Sequence, residues 1–111
     1  MKRGEVWTVA GGTDYAGKPR PVVLLQDDLF DTTASVTVCP LTTVSTDAPL
    51  LRIAVHPNSQ NGLRDTSHLM ADKITTVART KLGNRIGALD PSDMASLSRA
   101  IILFLRLTQT K

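Results

Sequence analysis

The residue best placed to do chemistry in this sequence is Arg20, which stands between Pro19 and Pro21 at the start of an apolar run. Proline fixes its own φ and pushes the preceding residue toward extended geometry, so the backbone around Arg20 is stiff. A guanidinium on a stiff backbone loses little entropy when it binds, and its planar donors match a phosphate. The pattern therefore indicates an anion-binding arginine. The structural alternative is an edge-strand arginine paired with a carboxylate, and this segment taken alone favours that alternative.

The other side chains that could carry chemistry are isolated from one another along the chain. Cys39, the one cysteine, lies in an apolar strand-like segment where buried filler is the favoured interpretation, and a single cysteine excludes an internal disulfide. His56 and His68 stand alone on strand-like segments, and no Cys/His group has metal-ligand spacing. We therefore predict neither a metal site nor a cofactor. Histidine exchanges protons near neutral pH, but we interpret His68 as a partly buried strand residue, with catalysis as the minority option.

The charge balance suits an anionic partner such as nucleic acid without requiring one. The formal net charge is +3, and the isoelectric point is about 9.4. Four cations and no acid lie between residues 73 and 89, whereas Asp27, Asp28 and Asp31 cluster in one polar turn. A solvated face is the favoured interpretation of such a basic run taken alone.

Several short strands followed by one helix must position these residues. With 111 residues and 41% hydrophobic content, the chain is predicted to form a single domain over 1–111. Alternating and continuous apolar runs predict strands at Glu5–Val9, Val22–Gln26, Ser35–Leu41, Leu50–His56, Ser67–Asp72 and Ile74–Ala78, with a bend at Lys73. A glycine-rich loop over 11–17 and a Thr/Ser-rich loop over 42–49 connect them.

The helix is the clearest predicted element, and it begins after Asp90. Asp90 is a good N-cap, Pro91 suits the first helical position, and Asp93 adds a second acid where the helix dipole favours one. An apolar stripe at three- and four-residue spacing is predicted to be core, and it is formed by Met94, Leu97, Ile101, Phe104 and Leu105. Ile102 and Leu103 widen this stripe, which indicates packing of a second copy of the chain. Deeper burial within one subunit is the alternative.

The sequence predicts a cytoplasmic protein with no membrane association. Its first residues lead straight into a strand pattern, and its longest apolar run, over 100–105, is far too short to cross a bilayer. A single cysteine also suits a reducing compartment.

Six short segments stand in order along nearly the whole chain, ahead of the helix: Arg3–Trp7, Gly17–Val23, Cys39–Thr43, Asn61–Leu63, Ser67–Val77 and Leu82–Gly87. Each segment alone is weak evidence for any family, but the ordered set resembles the MazF/PemK family of toxin endoribonucleases. The resemblance implies a mainly β fold with a C-terminal helix, namely a small SH3-like β-barrel of the MazF/CcdB/Kid type. It also implies a homodimer, cleavage of single-stranded mRNA, and an acidic antitoxin whose disordered tail would occupy the RNA groove.

For a ribonuclease without a metal constellation, the simplest mechanism uses the RNA's own 2′-hydroxyl to attack the neighbouring phosphate. It leaves a 2′,3′-cyclic phosphate and a 5′-hydroxyl, and it needs donors for the extra charge on phosphorus. By resemblance, Arg20 and Thr42 stand where the family carries its catalytic arginine and threonine. Arg20 would clamp the phosphate through two donors, and the Thr42 hydroxyl would donate to a non-bridging oxygen. Without the family pattern, Thr42 would be interpreted as a strand-end cap.

The resemblance also implies candidate catalytic and RNA-binding roles for further residues, on weaker matches. Asp14 lies in the loop where some members carry a glutamate, and Ser67 matches a family serine near the site. Both are candidate catalytic residues. The alternative for Asp14 is an exposed loop carboxylate without a catalytic role, and the alternative for Ser67 is an ordinary serine at the start of a strand. RNA contacts are predicted for Lys18, Tyr15, Thr43, Arg64 and Lys73, with solvated side chains as the alternative for the cations.

Two rival functions fit a small β domain of this kind. A CcdB-like toxin would poison DNA gyrase by binding, without RNA cleavage, but residues 105–111 lack the bulky aromatic end expected of that group. An SH3-like interaction module presents an aromatic-lined groove to proline-rich ligands, and an aromatic content of 4% argues against one. A ribonuclease is the leading hypothesis.

Overall fold

Seven strands and one α-helix make up the computed structural model, which describes residues 1–10 and 19–108. The strands are β1 Glu5–Val9, β2 Arg20–Leu24, β3 Ser35–Thr42, β4 Arg52–Val55, β5 Ser67–Met70, β6 Thr75–Ala78 and β7 Leu82–Ala88, and the helix is α1 Pro91–Leu105. Short 3-10 turns lie at Asp28–Phe30, Ala71–Lys73 and Arg79–Lys81. The predicted mainly β architecture with a C-terminal helix is confirmed.

The strands form one antiparallel sheet in the order β4-β5-β3-β2-β1-β7. Strand β3 is the hub, because it pairs with β2 on one edge and with both β5 and β6 on the other. The first half of β3 pairs with β6 and its end pairs with β5, so the 3-10 turn at 71–73 marks a bend in one long edge. The bend predicted at Lys73 is confirmed.

The two faces of the sheet carry separate apolar clusters, because successive side chains along a strand alternate between faces. One face, here called the helix face, packs on α1, and its buried residues Val23, Cys39, Leu41 and Leu69 share a core cluster with Leu97 of the helix. The opposite face, here called the distal face, holds a second buried cluster, Val22, Leu24, Val36 and Val38, against which Trp7, Val9 and Val77 pack. The distal cluster ends where β2 begins and β3 finishes, which places Arg20 and Thr42 at its edge.

Helix α1 begins as predicted, and its end differs from the prediction. The Asp90 side chain accepts a hydrogen bond of 2.8 Å from the Asp93 N–H, and Pro91 occupies the first turn. Leu97 is fully buried, but Phe104 and Leu105 are 45% and 47% exposed, so the prediction that they are core is wrong. The helix packs on β4 and the 71–73 turn, and the apolar side chains of its last turn are exposed. Within the described residues, no helix is long and apolar enough to cross a membrane.

Strand β7 was not predicted, because its glycines and polar residues hide the apolar pattern of a strand. Gly87 is required by packing, since an added Cβ would overlap the backbone of Gln60 and Asn61. The buried Asn61 side chain secures that loop by donating to the His56 carbonyl and accepting from the Leu63 N–H. The loop over 56–63 therefore packs against β7 backbone to backbone, which a short-range sequence pattern does not show.

Candidate active site

Arg20 and Thr42 lie on neighbouring strands with their side chains on the distal face. Arg20 is exposed at the first position of β2, opposite Val9 of β1. Along the other edge of β2, Val22 pairs with Pro40, and the same register carried two residues further puts Arg20 opposite Thr42. Side chains directly opposite each other on antiparallel strands are about 5 Å apart at Cβ. A single phosphate is therefore within reach of both groups.

The Thr42 hydroxyl has its proton available to donate a hydrogen bond. Its Oγ1 accepts from the Val44 N–H at 3.1 Å, where the chain turns out of β3. That bond uses an oxygen lone pair and leaves the hydroxyl proton available. Between residues 19 and 108 the structure shows no protein acceptor for this proton. The geometry therefore favours an O–H directed at an acceptor outside the protein, such as a phosphate oxygen.

A cavity of about 150 Å³ opens beside Arg20 on the distal face. Its lining is mainly apolar and consists of Val9, Ala10, Arg20, Val22, Val38, Pro40, Thr75 and Val77. Thr75 adds a hydroxyl from β6, where it stands opposite Val38. A mostly apolar recess with a guanidinium at its edge has the size and chemistry to take a nucleobase or ribose, with Arg20 within reach of a neighbouring anion.

Ser67, the third candidate catalytic residue that lies on a strand, is on the other side of the sheet. It is 4% exposed, and its hydroxyl donates to the Asp65 carbonyl at 3.0 Å. Its neighbour Leu69 faces the helix, and Ser67 shares that face because the two are two residues apart. The structure therefore does not bring Ser67 to Thr42 and Arg20.

The residues predicted to bind RNA are only partly brought together. Lys73 is exposed at the end of the 71–73 turn, two residues from Thr75 in the cavity wall. Thr43 is exposed directly after Thr42, and Arg64 is exposed in the segment before β5. Asp14, Tyr15 and Lys18 lie outside the described residues.

The structure adds His68, which the sequence led us to interpret as a strand residue. His68 stands directly opposite Thr42 in the β3–β5 pair and shares its face of the sheet. Arg20, Thr42 and His68 thus form a row across three adjacent strands, here called the site row. Nothing in the sequence signals this neighbour, because the loop and strand between residues 43 and 66 separate the two partners.

Other reactive groups near the sheet have structural roles. Burial raises the pKa of the Cys39 thiol to about 12, so it is protonated at neutral pH and is no nucleophile. Asp72 pairs with Arg52. Burial, the largest single effect, raises the pKa of this carboxyl, but its hydrogen bonds and the charges of Arg52 and Lys73 together outweigh burial, and the net pKa is lowered. In the described part of the chain, no three His, Cys, Asp or Glu side chains are grouped to hold a metal ion.

Comparison with known proteins shows the family of this chain. Residues 2–105 match a family described as the PemK-like, MazF-like toxin of type II toxin-antitoxin systems. The chain belongs to this family. A probable endoribonuclease MazF from Mycolicibacterium smegmatis is 53% identical to this toxin over 105 residues, which cover 95% of the chain and 96% of that protein.

Solved structures of similar toxins share the fold. An endoribonuclease from a mycobacterial species, solved with its cognate antitoxin, superposes with a TM-score of 0.82 at 26% identity and covers 99% of both chains. The Mycobacterium tuberculosis toxin MazF-mt6 superposes with a TM-score of 0.77 at 28% identity, over 94% of this chain and 99% of that one. The resemblance found in the sequence is confirmed, and this toxin is of the endoribonuclease type.

Proposed function

We propose that this toxin cleaves single-stranded mRNA without a metal ion. The 2′-hydroxyl attacks the adjacent phosphorus and loses its proton, the bond from phosphorus to the 5′-oxygen breaks, and that oxygen takes up a proton. The products are a 2′,3′-cyclic phosphate and a 5′-hydroxyl. The observation that carries the proposal is the placement of Arg20 and Thr42 on adjacent strands, on one face of the sheet.

Arg20 and Thr42 are proposed as the groups that stabilise the charged phosphorane. The guanidinium offers two donors to the non-bridging oxygens and remains charged at any working pH. The Thr42 hydroxyl adds a third donor, because accepting from the Val44 N–H uses only a lone pair of its oxygen and leaves the proton available. Donors positioned where negative charge develops are the largest single source of rate enhancement in many enzymes.

The remaining assignments are proposals that rest on the family resemblance. Asp14 is proposed as the base that accepts the 2′-hydroxyl proton. Substrate contacts are proposed for five further side chains: Tyr15, Lys18, Thr43, Arg64 and Lys73. Ser67 is assigned a structural role, since its hydroxyl is buried on the helix face and bonded to Asp65.

Two protein partners are proposed. The related mycobacterial endoribonuclease was solved with its cognate antitoxin, and we propose that this toxin likewise binds an acidic antitoxin in its RNA groove. The exposed apolar end of α1, with Leu103 58% exposed and Phe104 45% exposed, is proposed to pack in a homodimer. Cleavage of mRNA would take place in the cytoplasm.

The central test uses Arg20→Ala in the presence of EDTA. The wild-type toxin should cut single-stranded RNA under these conditions, and R20A should lose at least about a hundredfold in kcat/KM. Because Arg20 is exposed, the unfolding temperature should change by no more than about 2 °C. The cut ends should accept phosphate from polynucleotide kinase without prior phosphatase treatment, since they carry a 5′-hydroxyl.

Lys2→Ala is the charge-matched control, because Lys2 is exposed and takes part in no ion pair among the residues the structure describes. K2A should cut like the wild type. A requirement for added metal, or full activity of R20A, would disprove the mechanism. Inhibition of gyrase supercoiling by a toxin that leaves RNA intact would establish the CcdB-like alternative instead.

The homodimer is tested by sedimentation at micromolar concentration. The wild type should sediment as a dimer, and Phe104→Glu should sediment as a monomer because the charge would be buried in the proposed interface. A wild-type monomer mass would refute the dimer proposal and leave the chemistry of Arg20 untouched.

A further inference from the structure

One polar atom on the distal face is buried without a partner. Nδ1 of His68 is inaccessible to solvent and has no hydrogen bond to any described residue. Leaving a buried polar group unsatisfied is costly, and such groups are few in native proteins. An apolar residue at this half-buried strand position would avoid the cost. The presence of histidine here therefore calls for a functional explanation.

His68, with its unsatisfied nitrogen, lies next to the candidate active site. His68 pairs with Thr42 of β3 on one side and with Ala54 of β4 on the other. Adjacent strands are about 4.8 Å apart, so the imidazole lies one strand beyond the proposed phosphate-binding pair. Ala54 is small and exposed, so its side chain does not cover the ring from that direction.

The environment of Nδ1 indicates which nitrogen of the His68 ring carries the hydrogen. A neutral imidazole carries one N–H, on either Nδ1 or Nε2. A hydrogen on Nδ1 would be a buried donor without an acceptor, and orphaned buried N–H groups are rarer than under-satisfied acceptors. The hydrogen therefore belongs on Nε2, because the His68 side chain is only half-buried and Nδ1 is its one nitrogen that is both buried and unpartnered. His68 consequently presents its Nε2–H as a donor beside Thr42.

We propose that His68 binds the RNA backbone by donating its Nε2–H to a phosphate or ribose oxygen next to the scissile phosphate. This inference rests on the proposed ribonuclease function and gives the third residue of the site row a part in it. His68 acts as a substrate-binding donor and transfers no proton, because either proton-transfer role would require an N–H on the unpartnered Nδ1. The unsatisfied Nδ1 lowers the stability of the fold, and histidine is present at this position because its other nitrogen binds the substrate.

The test compares two substitutions on an RNA whose cut site has been mapped. His68→Phe keeps a flat ring without a donor, and kcat/KM should fall about ten- to a hundredfold, mainly through a higher KM. Its unfolding temperature should equal or exceed that of the wild type, because the unsatisfied nitrogen is gone. His68→Gln keeps an N–H donor that cannot transfer a proton, and its kcat/KM should stay within about fivefold of the wild type.

His56→Phe is the matched control, because His56 is exposed and its Nδ1 has a partner, the Thr66 hydroxyl at 3.1 Å. H56F should cut like the wild type. Wild-type activity in H68F would overturn the inference by showing that the donor is not used. Equal losses in H68Q and H68F would overturn it in favour of proton transfer.

A second measurement does not depend on how any variant folds. Nitrogen-15 chemical shifts of the His68 ring in the wild-type protein distinguish an Nδ1 that carries hydrogen from one that does not. We expect a bare Nδ1 and a protonated Nε2, and an N–H on Nδ1 would refute the inference. If the wild type fails to cut RNA at all, the proposed function fails. If the wild type cuts RNA and R20A does not, the proposed function holds, and the His68 variants and the His68 ring shifts then test this inference separately.

Discussion

Replacing Thr42 with valine removes one hydroxyl and keeps the β-branched shape that suits the end of β3. The hydroxyl accepts one structural hydrogen bond, from the Val44 N–H at 3.1 Å. Val44 is 65% exposed, so its N–H can turn to water, and the stability lost should be below about 1 kcal/mol. For a chain of this length, that corresponds to at most about 4 °C in the unfolding temperature.

The expected loss of activity is far larger than the loss of stability. A hydrogen bond to a charged group contributes about 1.5–3 kcal/mol. If the Thr42 O–H meets a phosphate oxygen in the transition state, kcat/KM should fall roughly 10- to 150-fold in T42V. Steady-state cleavage of a mapped single-stranded RNA in EDTA measures this fall, and a thermal melt of the same preparation measures the fold.

Thr42→Ser is the matched control, because it restores the hydroxyl and should recover most of the activity. The assignment of Thr42 is refuted if T42V cuts within twofold of the wild type, or if T42S is as defective as T42V. Combining T42V with Arg20→Lys gives a further check. Two groups on one phosphate should show non-additive losses, whereas independent sites should add.

Two further predictions concern the fold that supports the site. Gly62→Ala should lower stability by about 3 kcal/mol, because Gly62 has φ +72° and an added Cβ would overlap the Ile86 carbonyl; an unchanged urea midpoint would contradict this. Acid should destabilise the toxin partly through Asp90, whose pKa is lowered chiefly by the hydrogen bond from the Asp93 N–H. The stabilisation is complete above the ordinary carboxyl range and is lost as the pH falls through the lowered pKa. Asp90→Asn keeps the acceptor without titrating, so its unfolding temperature should fall less than that of the wild type on acidification, and equal falls would exclude Asp90 as a contributor.

Local signals in the sequence predicted local features well. Strand β1 spans Glu5–Val9 as its alternation indicated, and α1 begins at Pro91 after its Asp90 cap. Strand β2 begins at Arg20, two residues before the predicted start, because its pairing with β1 extends to the Val9–Arg20 pair. Propensity and capping depend on neighbours in the chain, so a single sequence shows them directly.

Features that depend on distant neighbours were predicted poorly. The helix dipole favours an acid at Asp93, but burial and then the charge of Asp90 raise the pKa of Asp93, so its ionised form is disfavoured. Phe104 lies on the predicted apolar stripe, yet it is 45% exposed. Periodicity reports which side chains share a face, and it does not report how far the opposing surface extends.

The stiff, extended backbone around Arg20 follows from its local sequence, because the two flanking prolines restrict φ and ψ without help from the rest of the molecule. Which groups lie beside Arg20 depends on the pairing of distant strands. Thr42 and His68 lie beside each other because β3 and β5 pair in one register, and Ser67, one residue away, faces the helix instead. A shift of one residue in that pairing would exchange the two faces. Register is set by contacts across the whole sheet, and it therefore cannot be deduced from any one segment.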